Sequence, residues 1–137
     1  MIALNWNCRG LGNCRAVEVL AELVRQKAPT IFFLMETKLF IREMEPIKTE
    51  LGYPSMLAIS SEGRKGRLAL LWVAEVVVDT QIYSLNHIDA NICTQNSPSW
   101  RLTGVYGHPE EERKAEIEAY ATPPCTWDIT MVMPRRL

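Results

Sequence analysis

An apolar run that ends in a carboxylate constrains this chain more than any other stretch. Residues Ile31 to Met35 are all apolar, and Glu36 follows them directly. An apolar run of this length predicts a strand that is buried on both faces of a sheet. Because an isolated buried carboxylate is too costly, Glu36 must be solvated, paired or bound to a cation. Ligands usually bind at the carboxyl ends of strands in open α/β sheets, so Glu36 is either a functional residue or an ordinary surface glutamate.

The residues before this run predict a strand, a helix and then the apolar strand. Residues 2–7 have the pattern of a first strand, and the loop Arg9–Asn13 contains two glycines and ends in a candidate N-cap. Pro29 should end the helix near Ala28. The short connections favour parallel pairing of the two strands through a right-handed crossover. The predicted apolar face of the helix consists of Ala16, Val17, Leu20, Leu23, Val24 and Ala28.

The remainder of the chain predicts one weak helix and then a series of strands. Residues 39–51 have helical spacing that Pro46 interrupts, and residues 56–59 form a short strand candidate. From residue 68 to residue 106, consecutive strands with short polar turns indicate an antiparallel meander. Pro109 then opens a helix that should run to about Tyr120. We expect two parts, a domain over residues 1–120 and a divergent, poorly ordered tail over residues 121–137.

Composition limits the kinds of partner that the chain can have. The net charge of −1 gives no attraction of the whole chain to nucleic acid or anionic membranes, so a nucleic-acid site would have to be local. The four cysteines form no CxxC pair, which favours reduced thiols over disulfides. No signal peptide and no apolar run near the ~20 residues of a membrane span is present. These features predict an intracellular protein of the nucleus or cytoplasm.

Several segments, in this order, resemble motifs of the endonuclease/exonuclease/phosphatase superfamily, which includes pancreatic deoxyribonuclease and apurinic-site endonucleases. Residues Asn5–Leu11 are similar to the family's opening strand and glycine turn, and Leu34–Lys38 resembles its Leu-Gln-Glu-Thr-Lys motif. Residues Gly63–Trp72 resemble its glycine-bearing turn and following strand. Arg101–Tyr106, followed by Pro109, is similar to a later strand that ends in tyrosine.

The amino-acid sequences of these segments are most similar to the endonuclease domain of plant LINE-type retroelements. The resemblance covers about residues 2–120. It implies an α/β (α+β) fold. The chain would be the N-terminal half of a four-layer α/β/β/α sandwich with mixed, mainly antiparallel sheets.

The resemblance also implies roles for individual residues. Asn7 matches a hydrogen-bonding asparagine of the catalytic centre, Glu36 matches the magnesium ligand, and Tyr106 matches a tyrosine that approaches the scissile phosphate. The implied cofactor is Mg²⁺, with Mn²⁺ as a substitute, and the implied substrate is DNA. Asn7 could instead only cap the turn that follows it, and Tyr106 could be an ordinary half-buried aromatic residue. Loop cations could contact phosphates or simply form a solvated surface; they are Arg9, Lys38, Arg64, Lys65 and Arg67.

Two later motifs of the family do not occur in these 137 residues. They are a strand that ends in Gly-Asp-Phe-Asn, or a similar string, and a Ser-Asp-His string. Because catalytic residues that act as a unit fail together, we expect a truncated phosphodiesterase with little activity. One alternative is a non-catalytic fragment that binds nucleic acid, or that self-associates through a sheet face left uncovered. Another is an unrelated small α/β protein.

Overall fold

A computed structural model of the chain describes residues 2–60, 68–95, 97–106 and 128–133. The chain divides into two compact units, residues 1–74 and residues 75–137. Two helices and eight strands are described. In the first unit they are β1 (Ala3–Asn7), α1 (Cys14–Lys27), β2 (Ile31–Met35), α2 (Ile41–Leu51), β3 (Ser55–Ile59) and β4 (Leu68–Trp72). In the second unit they are β5 (Val76–Tyr83), β6 (His87–Thr94), β7 (Ser97–Tyr106) and β8 (Asp128–Met133).

The predicted strand–helix–strand unit is confirmed. β1 and β2 pair in parallel, with α1 between them in the chain. Asn13 caps the helix, since its side chain accepts a hydrogen bond from the backbone N–H of Ala16 at 2.8 Å. The helix ends at Lys27, and Ala28 takes a left-handed conformation with φ 44° immediately before Pro29. The cap and the proline thus fix both ends of α1.

The apolar run 31–35 forms an inner strand of a four-stranded sheet whose order is β1-β2-β4-β3. Every residue of β2 is buried, as its composition predicts. β4 pairs antiparallel with both β2 and β3, so the sheet is mixed. Beside this sheet, the buried Tyr53 donates its hydroxyl to the carbonyl of Pro29 at 2.7 Å. Burial raises the pKa of this phenol to about 12.

The weakly predicted helix 39–51 is present as α2, with Pro46 inside it. Met44, Ile47 and Leu51 are buried at the predicted spacing, whereas Ile41, the first helical residue, is 47% exposed. Proline removes one backbone donor from a helix, and burial of these three side chains compensates for that loss. The core of this unit also contains Leu11, Leu20, Phe32, Leu34, Leu39, Tyr53, Ala69 and Leu71.

The second unit is a four-stranded sheet with the order β5-β6-β7-β8. The predicted meander is present from β5 to β7. It does not include β4, which belongs to the first sheet instead. Asp128–Met133, within the segment expected to be poorly ordered, forms β8 and pairs in parallel with β7. The helix predicted after Pro109 lies outside the described residues.

Two further expectations concern the thiols and the membrane. Cys8, Cys14 and Cys93 are free thiols, and Cys125 lies outside the described residues. Neither described helix has the length and apolarity to cross a bilayer.

A buried ion pair joins β6 and β7. The Asp89 side chain is fully buried, and Arg101 donates to it through Nε at 2.7 Å and through Nη2. Thr103 adds a weaker hydrogen bond from its hydroxyl at 3.4 Å. Removing one partner of a buried pair leaves an uncompensated charge, which is far more costly than losing an exposed pair.

Asp89→Asn should therefore destabilise the protein by about 3 kcal/mol, because the Arg101 guanidinium loses its buried counter-charge. Asp79→Asn is the matched control, since Asp79 is an exposed aspartate on the neighbouring strand β5, and it should change stability by less than ~0.5 kcal/mol. Urea unfolding followed by circular dichroism measures both. Equal losses in the two variants would show that the buried pair contributes nothing specific.

Candidate active site

Hydrogen bonds between two loops continue the pairing of β1 and β2 beyond the strand ends. The backbone N–H of Cys8 donates to the carbonyl of Met35 at 2.8 Å. Gly10 then donates to the carbonyl of Glu36 at 2.7 Å, and Leu11 donates to that of Thr37 at 2.9 Å. The loop after β1 and the loop after β2 are therefore held together. We call residues Cys8–Leu11 and Glu36–Lys38 the loop pair.

Left-handed backbone conformations are concentrated in the loop pair. Arg9, Glu36 and Lys38 have φ values of 52°, 52° and 54°. Each such residue costs about 1–2 kcal/mol when it carries a Cβ. Gly10 has φ 95°, and a Cβ added there would lie 3.4 Å from Cδ of Lys38. The hydrogen bonds between the loops offset this cost and fix the directions in which the side chains leave the backbone.

Asn7 and Glu36 lie at neighbouring strand ends. Asn7 is the last residue of β1 and is opposite Met35, the residue before Glu36. Both are partly buried. The Oδ1 of Asn7 accepts a hydrogen bond from the backbone N–H of Arg9 at 3.0 Å. Asn7 therefore caps the turn that follows it, as one of the two interpretations of this residue predicts. This bond uses the amide oxygen of Asn7 and leaves its NH₂ group to donate elsewhere.

The other predicted site residues are distributed unevenly. Arg9 and Lys38 are exposed members of the loop pair. Tyr106 is the last residue of β7 in the second unit, is buried, and donates its backbone N–H to the carbonyl of Asn86 at 2.7 Å. The structure thus brings Arg9, Glu36 and Lys38 to one loop pair, and Asn7 ends the strand that leads into it. Arg64, Lys65 and Arg67 lie outside the described residues.

Cys8 is a partly buried thiol beside these groups. Its pKa is raised to about 12, chiefly by burial and also by the negative charge of Glu36, while a hydrogen bond with the Met35 backbone partly counteracts them. A thiol with such a pKa is protonated and unreactive at neutral pH. The loop pair therefore offers a carboxylate and an amide for chemistry, and no activated thiol.

The donor set suits a hard cation that needs few protein ligands. The residues that the structure describes contain no cluster of three or more histidine, cysteine or acidic side chains. Mg²⁺ takes oxygen ligands, keeps several waters and is commonly held by one or two carboxylates. The carboxylate of Glu36, at the end of a buried strand, fits that requirement.

One pair of residues near the loop pair was not among the predicted site residues. The guanidinium carbon of Arg42 lies over the ring of Phe40, 5.0 Å from its centre. Helical spacing of residues 39–51 gave no sign of this contact, because residues two apart on a helix do not face each other. An aromatic residue and an arginine closely following Lys38 were the available signal.

Solved structures with the same arrangement of strands and helices belong to endonuclease/exonuclease/phosphatase proteins. TDP2 from D. rerio, complexed with a single-stranded DNA product, matches with a TM-score of 0.66 at 14% identity, over 94% of this chain and 58% of that chain. A family protein from Bacteroides thetaiotaomicron matches with a TM-score of 0.60 at 12% identity, over 84% and 53%. The AP endonuclease LMAP from Leishmania major matches with a TM-score of 0.56 at 15% identity, over 82% and 43%.

This chain has the endonuclease/exonuclease/phosphatase fold. It spans about half the length of the solved structures that it matches. No protein-family model matches the sequence, and no curated protein matches it either. The likeness to these proteins is therefore one of fold. This chain shares with them mixed and mostly antiparallel sheets.

Gly10→Ala should destabilise the protein by about 1–2 kcal/mol, because a residue with a Cβ is strained in the left-handed conformation at φ 95°. Gly12→Ala is the matched control two residues away, where an added Cβ meets nothing within 4 Å. Urea unfolding compares the two variants with the wild type. A Gly10→Ala midpoint equal to that of Gly12→Ala would argue against a rigid loop pair.

The thiols should differ strongly in alkylation. At pH 8 we expect iodoacetamide to modify the exposed Cys14 and Cys93 much faster than the partly buried Cys8, because burial raises the pKa of Cys8 to about 12. Since the folded-state pKa is raised, the thiol favours the folded state below pH 9, and this contribution is lost as the pH rises towards 12. Peptide mass spectrometry measures the three rates. Rapid labelling of Cys8 in the folded protein would contradict the burial of this thiol.

Proposed function

We propose that this chain carries part of a magnesium-dependent phosphodiesterase site that acts on nucleic acid, with Glu36 as the metal ligand. The observation that carries this proposal is the position of Glu36 directly after the buried strand β2, where the Gly10 N–H fixes its backbone carbonyl at 2.7 Å. The fold supports it, since proteins with this fold include an AP endonuclease and TDP2 bound to a DNA product.

Each residue would have a distinct role. Glu36 would hold Mg²⁺, with Mn²⁺ as a substitute, and the metal when bound would polarise the phosphate and stabilise negative charge on the leaving oxygen. The NH₂ group of Asn7 would orient a neighbouring carboxylate or water without adding charge. Tyr106 would donate its hydroxyl to a phosphate oxygen.

Unpaired cations support nucleic acid as the substrate. None of Arg9, Lys38 and Arg42 forms an ion pair within the described part of the chain, where the ion pairs involve Arg25, Lys48 and Arg101 instead. Cations that form no ion pair with a described residue are available for phosphate oxygens. Because the net charge of the chain is only −1, such a local group is what a DNA-binding role requires.

We further propose that turnover by these 137 residues alone is low and that they derive from a plant LINE-type endonuclease in the nucleus or cytoplasm. The sequence lacks the two later family motifs, whose residues would act together with Asn7 and Glu36. The second candidate function is a non-catalytic module that binds nucleic acid or another protein chain, including a second copy of itself. The unpaired cations of the loop pair favour nucleic-acid binding, which needs no catalytic partner.

Metal linkage tests Glu36 independently of turnover. Mg²⁺ at ten times its Kd should stabilise the wild type by about 1.4 kcal/mol in urea unfolding, and Glu36→Gln should abolish this shift. Glu50→Gln, an exposed glutamate of α2, is the control and should retain it. An identical Mg²⁺ response in all three proteins would remove Glu36 as the metal ligand.

A plasmid-nicking assay then separates the two candidate functions. Under the first, slow Mg²⁺-dependent nicking occurs, Glu36→Gln abolishes it, and Glu50→Gln leaves it unchanged. DNA binding that weakens with salt, without any Glu36-dependent nicking, would establish the non-catalytic module instead.

A further inference from the structure

Arg42 and Phe40 form a cation–π contact close to the loop pair in the chain. Phe40 is the N-cap residue of α2, in an extended conformation with φ −68° and ψ 157°. Its backbone N–H donates to Oε1 of Glu43 at 3.1 Å, which fixes the residue in place. Arg42 is exposed, and its guanidinium carbon lies 5.0 Å from the centre of the Phe40 ring. The Phe40 ring therefore lies within cation–π distance of a guanidinium whose residue is exposed to solvent.

The surroundings of this pair favour a negatively charged polymer. Lys38, two residues before Phe40, is exposed, and its stem lies close to Gly10, next to the exposed Arg9. The nearby carboxylate of Glu43 is engaged with the Phe40 backbone. No ion pair joins Arg42 to any other residue that the structure describes. A nucleic-acid strand whose phosphates contact Arg9 and Lys38 would bring one of its planar bases near Arg42, which follows Lys38 by four residues.

We propose that Arg42, supported by Phe40, is a stacking platform for an unpaired base of a nucleic-acid strand. This inference rests on the proposed function, because the strand is the one whose phosphates contact the loop pair. Bases splayed out of a single strand stack on aromatic rings and on arginine planes, and such stacking tolerates any base. The platform selects strands with an unpaired base over a fully stacked duplex.

Arginine rather than lysine is essential to this role. The guanidinium is planar and weakly hydrated, so it stacks between a ring and a base, whereas the lysine ammonium is a hydrated point charge. Arg42→Lys keeps the charge and removes the stacking plane. Arg15→Lys is the matched control, because Arg15 is also an exposed arginine at the second position of its helix, α1.

Fluorescence anisotropy in EDTA measures binding without cleavage. The probes are a labelled single-stranded DNA, an RNA of the same sequence, and a base-free abasic strand of equal length and charge. Arg42→Lys and Phe40→Leu should weaken binding of the base-containing strands about tenfold, the loss expected for one stacked base. Binding of the abasic strand should change less than twofold, and Arg15→Lys should behave as the wild type with every probe.

Equal weakening of base-containing and abasic strands by Arg42→Lys would overturn the platform and leave a phosphate contact. No weakening of either strand would overturn it as well. A larger effect on DNA than on RNA, or the reverse, identifies the strand that the platform accepts. The assay contains no metal, so base-dependent binding at Arg42 without a Glu36-linked Mg²⁺ effect would reject the proposed hydrolytic function and retain the platform.

Discussion

The hydrogen bonds between the loop after β1 and the loop after β2 are the constraint on which the candidate site depends. Parallel strands need no direct contact once they end, yet here Gly10 and Leu11 continue to donate to the carbonyls of Glu36 and Thr37. Each bond contributes roughly 1 kcal/mol, and Leu11 and Thr37 are buried beside them. These terms are comparable to the cost of the left-handed conformations at Arg9, Glu36 and Lys38. The strained backbone is therefore stable only as part of the pair.

The fold of the first unit was predictable where local chemistry decides the outcome. An uninterrupted apolar run must be buried, and one of only five residues directly after Pro29 and Thr30 favours a strand, as β2 is. Which strands pair with each other was not predictable in this way. The apolar run of β4 fits a meander with β5 as well as it fits its actual place beside β2 and β3. Sequence pattern reports how deeply a strand is buried, whereas the pairing depends on residues distant in the chain.

The residues of the candidate site likewise differ in whether the sequence could predict them. Glu36 could be proposed from the sequence because it follows a recognisable strand, and Asn7 because the segment around it resembles a family motif. The Arg42–Phe40 contact could not, because it exists only if Phe40 remains extended while Arg42 is already helical. A helix that began one turn earlier would have pointed the two side chains apart. The bond from Phe40 to Glu43 sets that boundary, and so a capping interaction determines whether an aromatic ring supports the guanidinium.

Charge links these parts. The carboxylate of Glu36 repels phosphate, while Arg9 and Lys38 in the same loop pair attract it. A divalent cation on Glu36 would reverse the sign of that carboxylate's contribution, since a bound metal ion is the largest local charge in such a site. Arg42 would contribute through the base as well as through charge, and its contribution would depend less on the metal. In the proposed arrangement the metal would control how closely the phosphate approaches, and the platform would hold the strand whether or not the metal is present.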